Sequence, residues 1–440
     1  MSANLILDSQ KEAILKQPIT GMMWKLSWPA ILAMVFFGLN TFLDAVFVGH
    51  LLGERALSGV ALAYPLTSLM LGLGSWVGTG AANLLSIALG ANDKITQKNL
   101  LGTGSVLSLI VSIVFAIPVY FVAESLIKIM GGEGQILVLG TSYFRVTLFG
   151  AFFWVYALLL NFIIRGEGRM KQAAFMMLFG LVMNIILNPI FIIVLELGVE
   201  GAAWATNIGM IVYAMVGFVY FKNGRASFKA EVTNVKYNKE LGKKIIQSGM
   251  PAMIMTIMML VQSIVVFNAI SNYGDHKDLA FYAAANRIYF FMLAPLFGLM
   301  RALQPAIGIN FGAQNNDRVS KSFWNFSWTG FLILLPFTLA ILVFPEQSLK
   351  IMLPEMVFNS QDIFMFRIYV AIIPFLSFVF MALSFFPAIN KSNLASLLAL
   401  SRQLLLFVPL VLLLPKYIGV SGVYYASSGI DIVVILVTIV

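Results

Sequence analysis

Two aspartates stand inside long apolar runs of this chain, Asp44 in "FFGLNTFLDAVFVGH" and Asp431 in "SSGIDIVVIL". The other seventeen of its nineteen acidic residues fall in the tail, in loops or at the ends of such runs. A carboxylate among hydrocarbon is costly unless it is paired, hydrated or protonated, so each of the two needs a purpose. On a helix, Asn40 and Thr41 precede Asp44 by four and three residues and share its face. The run "NIILNPIFI" sets Asn184 and Asn188 one turn apart, directly before Pro189, whose missing N–H frees a carbonyl. One carboxylate with amide oxygens makes a hard oxygen site for Na⁺, or a hydrogen-bond network around an acid that takes up and releases H⁺. The plain alternative is that the asparagines only bond neighbouring helices and that Asp44 is solvated near a helix end.

Asp431 has a natural partner in Arg402, centred in "LALSRQLLLF". Adjacent antiparallel helices would bring the two together, first as a structural ion pair and alternatively as a second proton or substrate site. Arg287 and Arg301 share one apolar run, as helix-end or cavity residues. Other chemistries lack their residues. There is no cysteine and only two histidines, His50 and His276, so zinc, haem and disulfides are not expected. The glycine-rich "LGLGSWVGTGAANLLSIALGAND" is followed by no Gly-Lys-Ser/Thr, so Gly74, Gly78 and Gly80 are read as close-packing positions. No Ser/His/Asp constellation is visible. The chain is read as no enzyme, with no cofactor, and any work it does must draw on an ion gradient.

The elements that would hold these residues follow from composition. With 60% hydrophobic and 11% charged residues and a mean hydropathy of +0.92, too little polar surface exists to cover a soluble core. The apolar runs are continuous and about 20 residues long, the length of a membrane-crossing helix. Twelve spans are predicted, at 26–48, 56–82, 100–122, 136–162, 172–195, 202–221, 246–271, 279–309, 323–344, 363–386, 393–414 and 422–440. The chain also repeats itself. "WPAIL" from Trp28 returns as "MPAMI" from Met250, "LGAND" from Leu89 as "FGAQN" from Phe311, and Arg145 as Arg367, all at one common spacing. Gly198 and Gly201 return at almost the same spacing as Gly419 and Gly422. The counterpart of Asp44 in the second copy is Val266, so the carboxylate chemistry is lodged in one half of the chain. Six spans per copy give both copies the same orientation, a parallel repeat. The expected plan is a cytoplasmic tail (1–20), a six-helix lobe (21–221), a basic linker (222–244) and a second lobe (245–440). Such doubled bundles place a transport site inside or between the lobes.

Charge orients the plan. With the amino terminus inside, 18 of the 28 Lys/Arg lie on that side, 6 lie outside and 4 (Arg145, Arg287, Arg301, Arg402) lie in spans. Seven fall between Lys222 and Lys244. The net charge of +9 is therefore a topology signal, and nucleic-acid binding is not expected. No cleavable leader is visible, and the last apolar run reaches Val440 without a polar tail, which suggests a longer natural chain.

Several stretches resemble the multidrug and toxic compound extrusion (MATE) family: "DAVFVGHLLGERALSGVALAYP" from Asp44, "SIALGAND", "NFIIRGEGRMKQA" from Asn161, "NIILNPIFI" and "PAIGINFGAQN". The amino-lobe pattern is most similar to the DinF-like branch. The resemblance implies two six-helix lobes forming a V that opens alternately to either side of the cell's inner membrane. It implies export of bulky cationic or amphipathic compounds against entry of H⁺ or Na⁺. The family's first-span acid matches Asp44, its fourth-span tyrosine and asparagine match Tyr143 and Asn161, its fifth-span asparagine Asn184 and its sixth-span threonine Thr206. A second acid of that branch falls on Asn188, which leaves one carboxylate where the branch has two. Asp44, Asn184, Asn188 and Thr206 are thus the expected coupling-ion ligands, Na⁺ included, with Asn40, Tyr143 and Asn161 as the expected substrate-contacting or polar network. Pro29 is the expected bending point of the first span. A lipid or lipid-linked glycan flippase is the alternative, kept open by Arg287 and Arg301, with a non-transporting scaffold third. The partners expected are small-molecule drugs and the bilayer, and one chain with two lobes suffices as a monomer.

Overall fold

The computed structural model describes residues 3–230 and 236–439, and within them the side chains of residues 3–9, 276 and 439 are left aside. Positions 231–235 of the expected linker thus lie outside the described residues. Among the described residues the regular structure is all helical. A short helix, α1 (Ala3–Lys16), precedes α2 (Ile19–Leu52), α3 (Glu54–Gly90), α4 (Lys94–Ile129), α5 (Gly134–Phe149), α6 (Ala151–Gly166), α7 (Met170–Pro189, continued as a π-turn over Ile190–Val194) and α8 (Gly198–Lys222). The second half comprises α9 (Lys239–Tyr273), α10 (His276–Gly312), α11 (Asn316–Val343), α12 (Pro345–Lys350), α13 (Ser360–Ala371), α14 (Leu376–Ala388), α15 (Ser392–Leu400), α16 (Val408–Leu413), α17 (Pro415–Ile418) and α18 (Ser421–Ile439). Among the described residues eleven helical segments are long and apolar enough to cross a membrane, and the bent pair α5–α6 makes a twelfth.

Two expectations about the helices change. The helices outrun the apolar runs, because residues such as Lys94, Gln97 and Lys239 end hydrophobicity without ending a helix. Breaks come where the backbone turns left-handed, and these too repeat: Asn92 and Gln314 have φ of 57° and 60° and are repeat mates. The fourth span is not one rod. It bends by 54° at Gly150. There Asn207 of α8 fills the space a side chain would need, donating to the Val146 carbonyl at 2.7 Å and accepting from Trp154 Nε1 at 3.1 Å. The first span, conversely, runs as one helix through Pro29, which is buried within it.

The halves meet through α3, which packs on α9 and α10 as well as on α6. Glycines permit this. A Cβ on Gly74 or Gly78 would collide with Leu158 or Phe162 of α6, and one on Gly80 would lie 2.0 Å from the Ile245 carbonyl of α9. Polar groups seal the same seam: Gln304 donates to Asn83 at 2.7 Å, Asn83 to Ser248 at 3.2 Å and Trp76 Nε1 to the Ile246 carbonyl at 2.8 Å. These contacts lie toward the end of the bundle that carries Gly90, Lys239 and Gly312. At that end α1 bridges the halves: Gln10 donates to the Gly168 carbonyl at 3.0 Å, and Arg318 donates to the Ile14 and Gln17 carbonyls at 2.8 and 2.7 Å.

Candidate functional site

Asp44 points into the amino-terminal half, between α2, α7 and α8. Asn188 donates to Asp44 Oδ1 at 2.8 Å and Asn40 to Oδ2 at 3.3 Å. The Asn184 amide is assigned from its surroundings, with Nδ2 toward Asp44 Oδ1 at 2.9 Å and Asn40 Oδ1 at 3.2 Å and its oxygen accepting from Thr206 Oγ1 at 3.1 Å. Three amides from two helices therefore aim N–H groups at one carboxylate. Charge-assisted bonds of this kind are worth about 1.5–3 kcal/mol each, and they offset part of the cost of burying a carboxylate. Asn40, Asn184 and Asn188 are buried, whereas Asp44 and Thr206 keep partial access. The Ala202 carbonyl, 3.0 Å from Thr206 Oγ1, is the competing acceptor for its one proton, and Tyr143 of α5 lies within hydrogen-bond reach of Thr206.

The spacing explains the convergence. Asn40 and Asp44 are one turn apart on α2, and Asn184 and Asn188 one turn apart on α7, so two parallel faces meet in register. The Asn188 oxygen is left without a partner. Rotating the amides would turn Asn188 Oδ1 and Asn184 Oδ1 toward the carboxylate and give a monovalent cation an oxygen shell. Among the described residues no three His, Cys, Asp or Glu side chains cluster, so a divalent-metal site is not formed by them.

The other expected residues fall elsewhere. Asn161 is fully buried between α6 and α7, donating to the Ala173 carbonyl at 2.7 Å; it ties two helices and does not reach the Asp44 group. Arg402 and Asp431 pair in the second half, with Nε and Nη2 both 2.8 Å from Oδ1. Arg402 lies in a π-helical stretch, Ser401–Phe407, that interrupts its helix. Arg287 is exposed on α10, and Arg301 lies deeper along the same helix, toward the seam.

Three residues read from sequence as ordinary are not. Asn207, beside Thr206, makes the α5–α6 bend possible. Arg165 and Glu167, which look like loop charges in "RGEGR", are 3% and 2% exposed. Glu167 accepts from the Ser227 N–H and lies 3.7 Å from Arg169 Nε, which fastens the start of the interhalf linker to the α6–α7 turn. Burial pushes its carboxyl up to about 7. The one hint in the sequence is that Gly166 and Gly168 flank Glu167, leaving the turn room to fold inward.

A helical membrane protein of two six-helix halves, with an amide-ringed carboxylate inside the first, has the build of a transporter. The MatE family model matches residues 29–190 and 251–413, and the chain belongs to that family. The multidrug export protein MepA of Staphylococcus aureus strain N315 is 24% identical over 423 residues, covering 95% of this chain and 92% of the relative. MepA of Staphylococcus saprophyticus is 27% identical over 304 residues, covering 69% of this chain and 67% of that protein. A crystal structure of a MATE in the bent conformation superposes with a TM-score of 0.91 at 25% identity, covering 97% of this chain and 95% of the other.

Proposed function

We propose that this protein exports bulky cationic or amphipathic compounds across the cell's inner membrane in exchange for inward H⁺ or Na⁺; relatives of the chain are named multidrug export proteins. The observation that carries the mechanism is the ring of three amide N–H groups around Asp44. In this conformation the ring favours a bare, charged carboxylate. When H⁺ or Na⁺ arrives, the charge is neutralised, at least one amide loses its acceptor, and the α2–α7 contact weakens. A coupling ion can drive the cycle only by preferring one conformation, and this is where that preference arises. The DinF-like pattern of Asp44, Tyr143, Asn184 and Thr206 supports the same reading, with Asn188 making the site a single-carboxylate one. The amino terminus and the basic linker are placed in the cytoplasm, and a single chain is the working unit.

Efflux of a fluorescent cation from proteoliposomes, under an imposed pH gradient in one arm and an imposed Na⁺ gradient in the other, tests the proposal. The wild type should respond to one gradient and Asp44→Asn to neither. Wild-type efflux by Asp44→Asn would end the coupling role. The flippase alternative predicts instead that a lipid pyrophosphate competes with the dye.

A further inference from the structure

Arg165 closes α6 in the first half and Arg301 lies on α10 in the second, yet both guanidinium groups stack on one ring. Their Cζ atoms lie 5.1 and 5.7 Å from the centroid of Phe162. Arg165 is 3% exposed and its Nη1 makes no hydrogen bond. Among the described residues neither guanidinium has a carboxylate within ion-pair distance, unlike Arg169, which has Glu167, and Arg402, which has Asp431. Beside them the Tyr213 hydroxyl of α8, 4% exposed, also lacks a partner. Arg301 is half-buried and one turn from Gln304, which seals the seam to Asn83.

This arrangement is out of balance. Arginine stays protonated in proteins, so the two charges cannot be relieved by losing protons. A shared aromatic face repays only part of what an unpaired buried ion costs. Two positive charges from opposite halves, with an unused hydroxyl donor, define what is missing: a small anion.

We propose that Arg165, Arg301 and Tyr213 form an anion site at the seam between the halves, taking a monovalent anion, either chloride or the carboxylate of an amphipathic cargo molecule. Guanidinium forks and a phenol O–H are the donor types that a halide or a carboxylate oxygen takes. Because α6 and α10 belong to different halves, the anion favours the conformation in which they are closed at this end and is released as they part. The site is independent of Asp44, which lies in the first half's interior and carries the opposite charge.

Thermal unfolding of the detergent-purified full chain, at fixed ionic strength in the bulky anion isethionate, gives the test. Chloride replaces isethionate in one series and benzoate in another. The wild-type midpoint should rise saturably with at least one of them: with chloride if the occupant is inorganic, with benzoate alone if it is a cargo carboxylate. Arg301→Gln and Arg165→Met, which keep their apolar stems, should lose that response. With the repulsion relieved, both should unfold at or above the wild-type midpoint in isethionate and below it in saturating anion. Asp44→Asn should respond as wild type, so a failure of ion coupling leaves this result readable. No saturable rise with either anion, or parallel curves for wild type and the arginine variants, would overturn the site.

Discussion

Gly90 and Gly312 stand against each other across the seam, and they are the same residue of the two sequence copies. A Cβ on Gly90 would lie 2.2 Å from the Ile309 carbonyl, and one on Gly312 would lie 2.1 Å from the Ile87 carbonyl. Ile87 and Ile309 are again repeat mates. The contact therefore obeys a local two-fold relation between the halves, as a parallel repeat about an axis along the bundle requires. Duplication has supplied a self-complementary closure: each half brings the glycine that the other half's carbonyl needs.

Closure at this seam should not survive a side chain. Gly90→Val and Gly312→Val each force backbones apart at a contact already at its limit, so the basic end is held open. The chain lacks cysteine, so one introduced thiol reports cleanly. With Ser86→Cys as the reporter, either valine variant should label rapidly from the basic side while the glycine parent is protected, and efflux should fall at least about tenfold, equivalent to ~1.4 kcal/mol. Gly38→Ala, whose Cβ meets nothing within 4 Å, is the matched control and should transport normally. Protection and efflux unchanged in both valine variants would show that the seam is not a gate.

The amide ring makes a directional prediction at Asn188. Asn188→Ala removes the shortest bond to Asp44, so the bare carboxylate loses about 1.5–3 kcal/mol of support and holds its ion into more alkaline or lower-Na⁺ conditions. Asn188→Asp places a second carboxylate at the same spot. Two such groups cannot both ionise cheaply, so one retains a proton and the efflux-versus-pH curve should move alkaline by about one unit or more. Dye efflux across a pH series measures both. A shift toward acid in Asn188→Asp would contradict the geometry.

Much of this is readable from the chain alone because apolar length and helical spacing are local properties. The spans, the doubling, the pairing of Arg402 with Asp431 and the convergence of Asn40, Asp44, Asn184 and Asn188 each follow from runs and turns of one or two helices. Asn161 shows a limit of such reading: a polar residue on a helix signals a hydrogen bond without saying to whom, and here one partner is a backbone carbonyl. The bend at Gly150 is hidden because its cause, Asn207, sits far along the chain on α8. Arg165 and Glu167 are hidden for a related reason. A charge next to glycines in a polar stretch reads as solvated, and only the packed turn shows that Ser227 and Phe162 have folded over the two groups.

Glu167 carries a pH dependence whose sign can be worked out. Burial raises its folded-state value from the ordinary 4.5 to about 7, so the folded chain binds the proton more tightly than the unfolded one. Stability contributed by that proton is greatest below the unfolded value, falls as pH rises between about 4.5 and 7, and is gone above it. Glu167→Gln keeps an acceptor for the Ser227 N–H while removing the charge. Its unfolding midpoint should exceed the wild type's at pH values above about 7 and converge with it in mild acid. Thermal melts across that window check it, and a wild-type chain that gains stability on going alkaline would refute the account.

The pair of Arg402 and Asp431 allows structure and transport to be separated experimentally. Both contacts fall on one carboxylate oxygen, and the side chains are 14% and 7% exposed. Removing either partner alone strands the other's charge and should cost about 3–5 kcal/mol, so Arg402→Met and Asp431→Leu should each express poorly and melt early. Removing both leaves no charge to strand. Arg402→Met combined with Asp431→Leu should then recover most of the stability, because a buried ion pair repays its own desolvation only marginally. The deciding readout is efflux by the recovered double variant. If the pair is structural, that variant transports at close to wild-type rate under the same ion gradient. If its stability returns and its transport does not, the pair has a role in transport beyond holding the second half together.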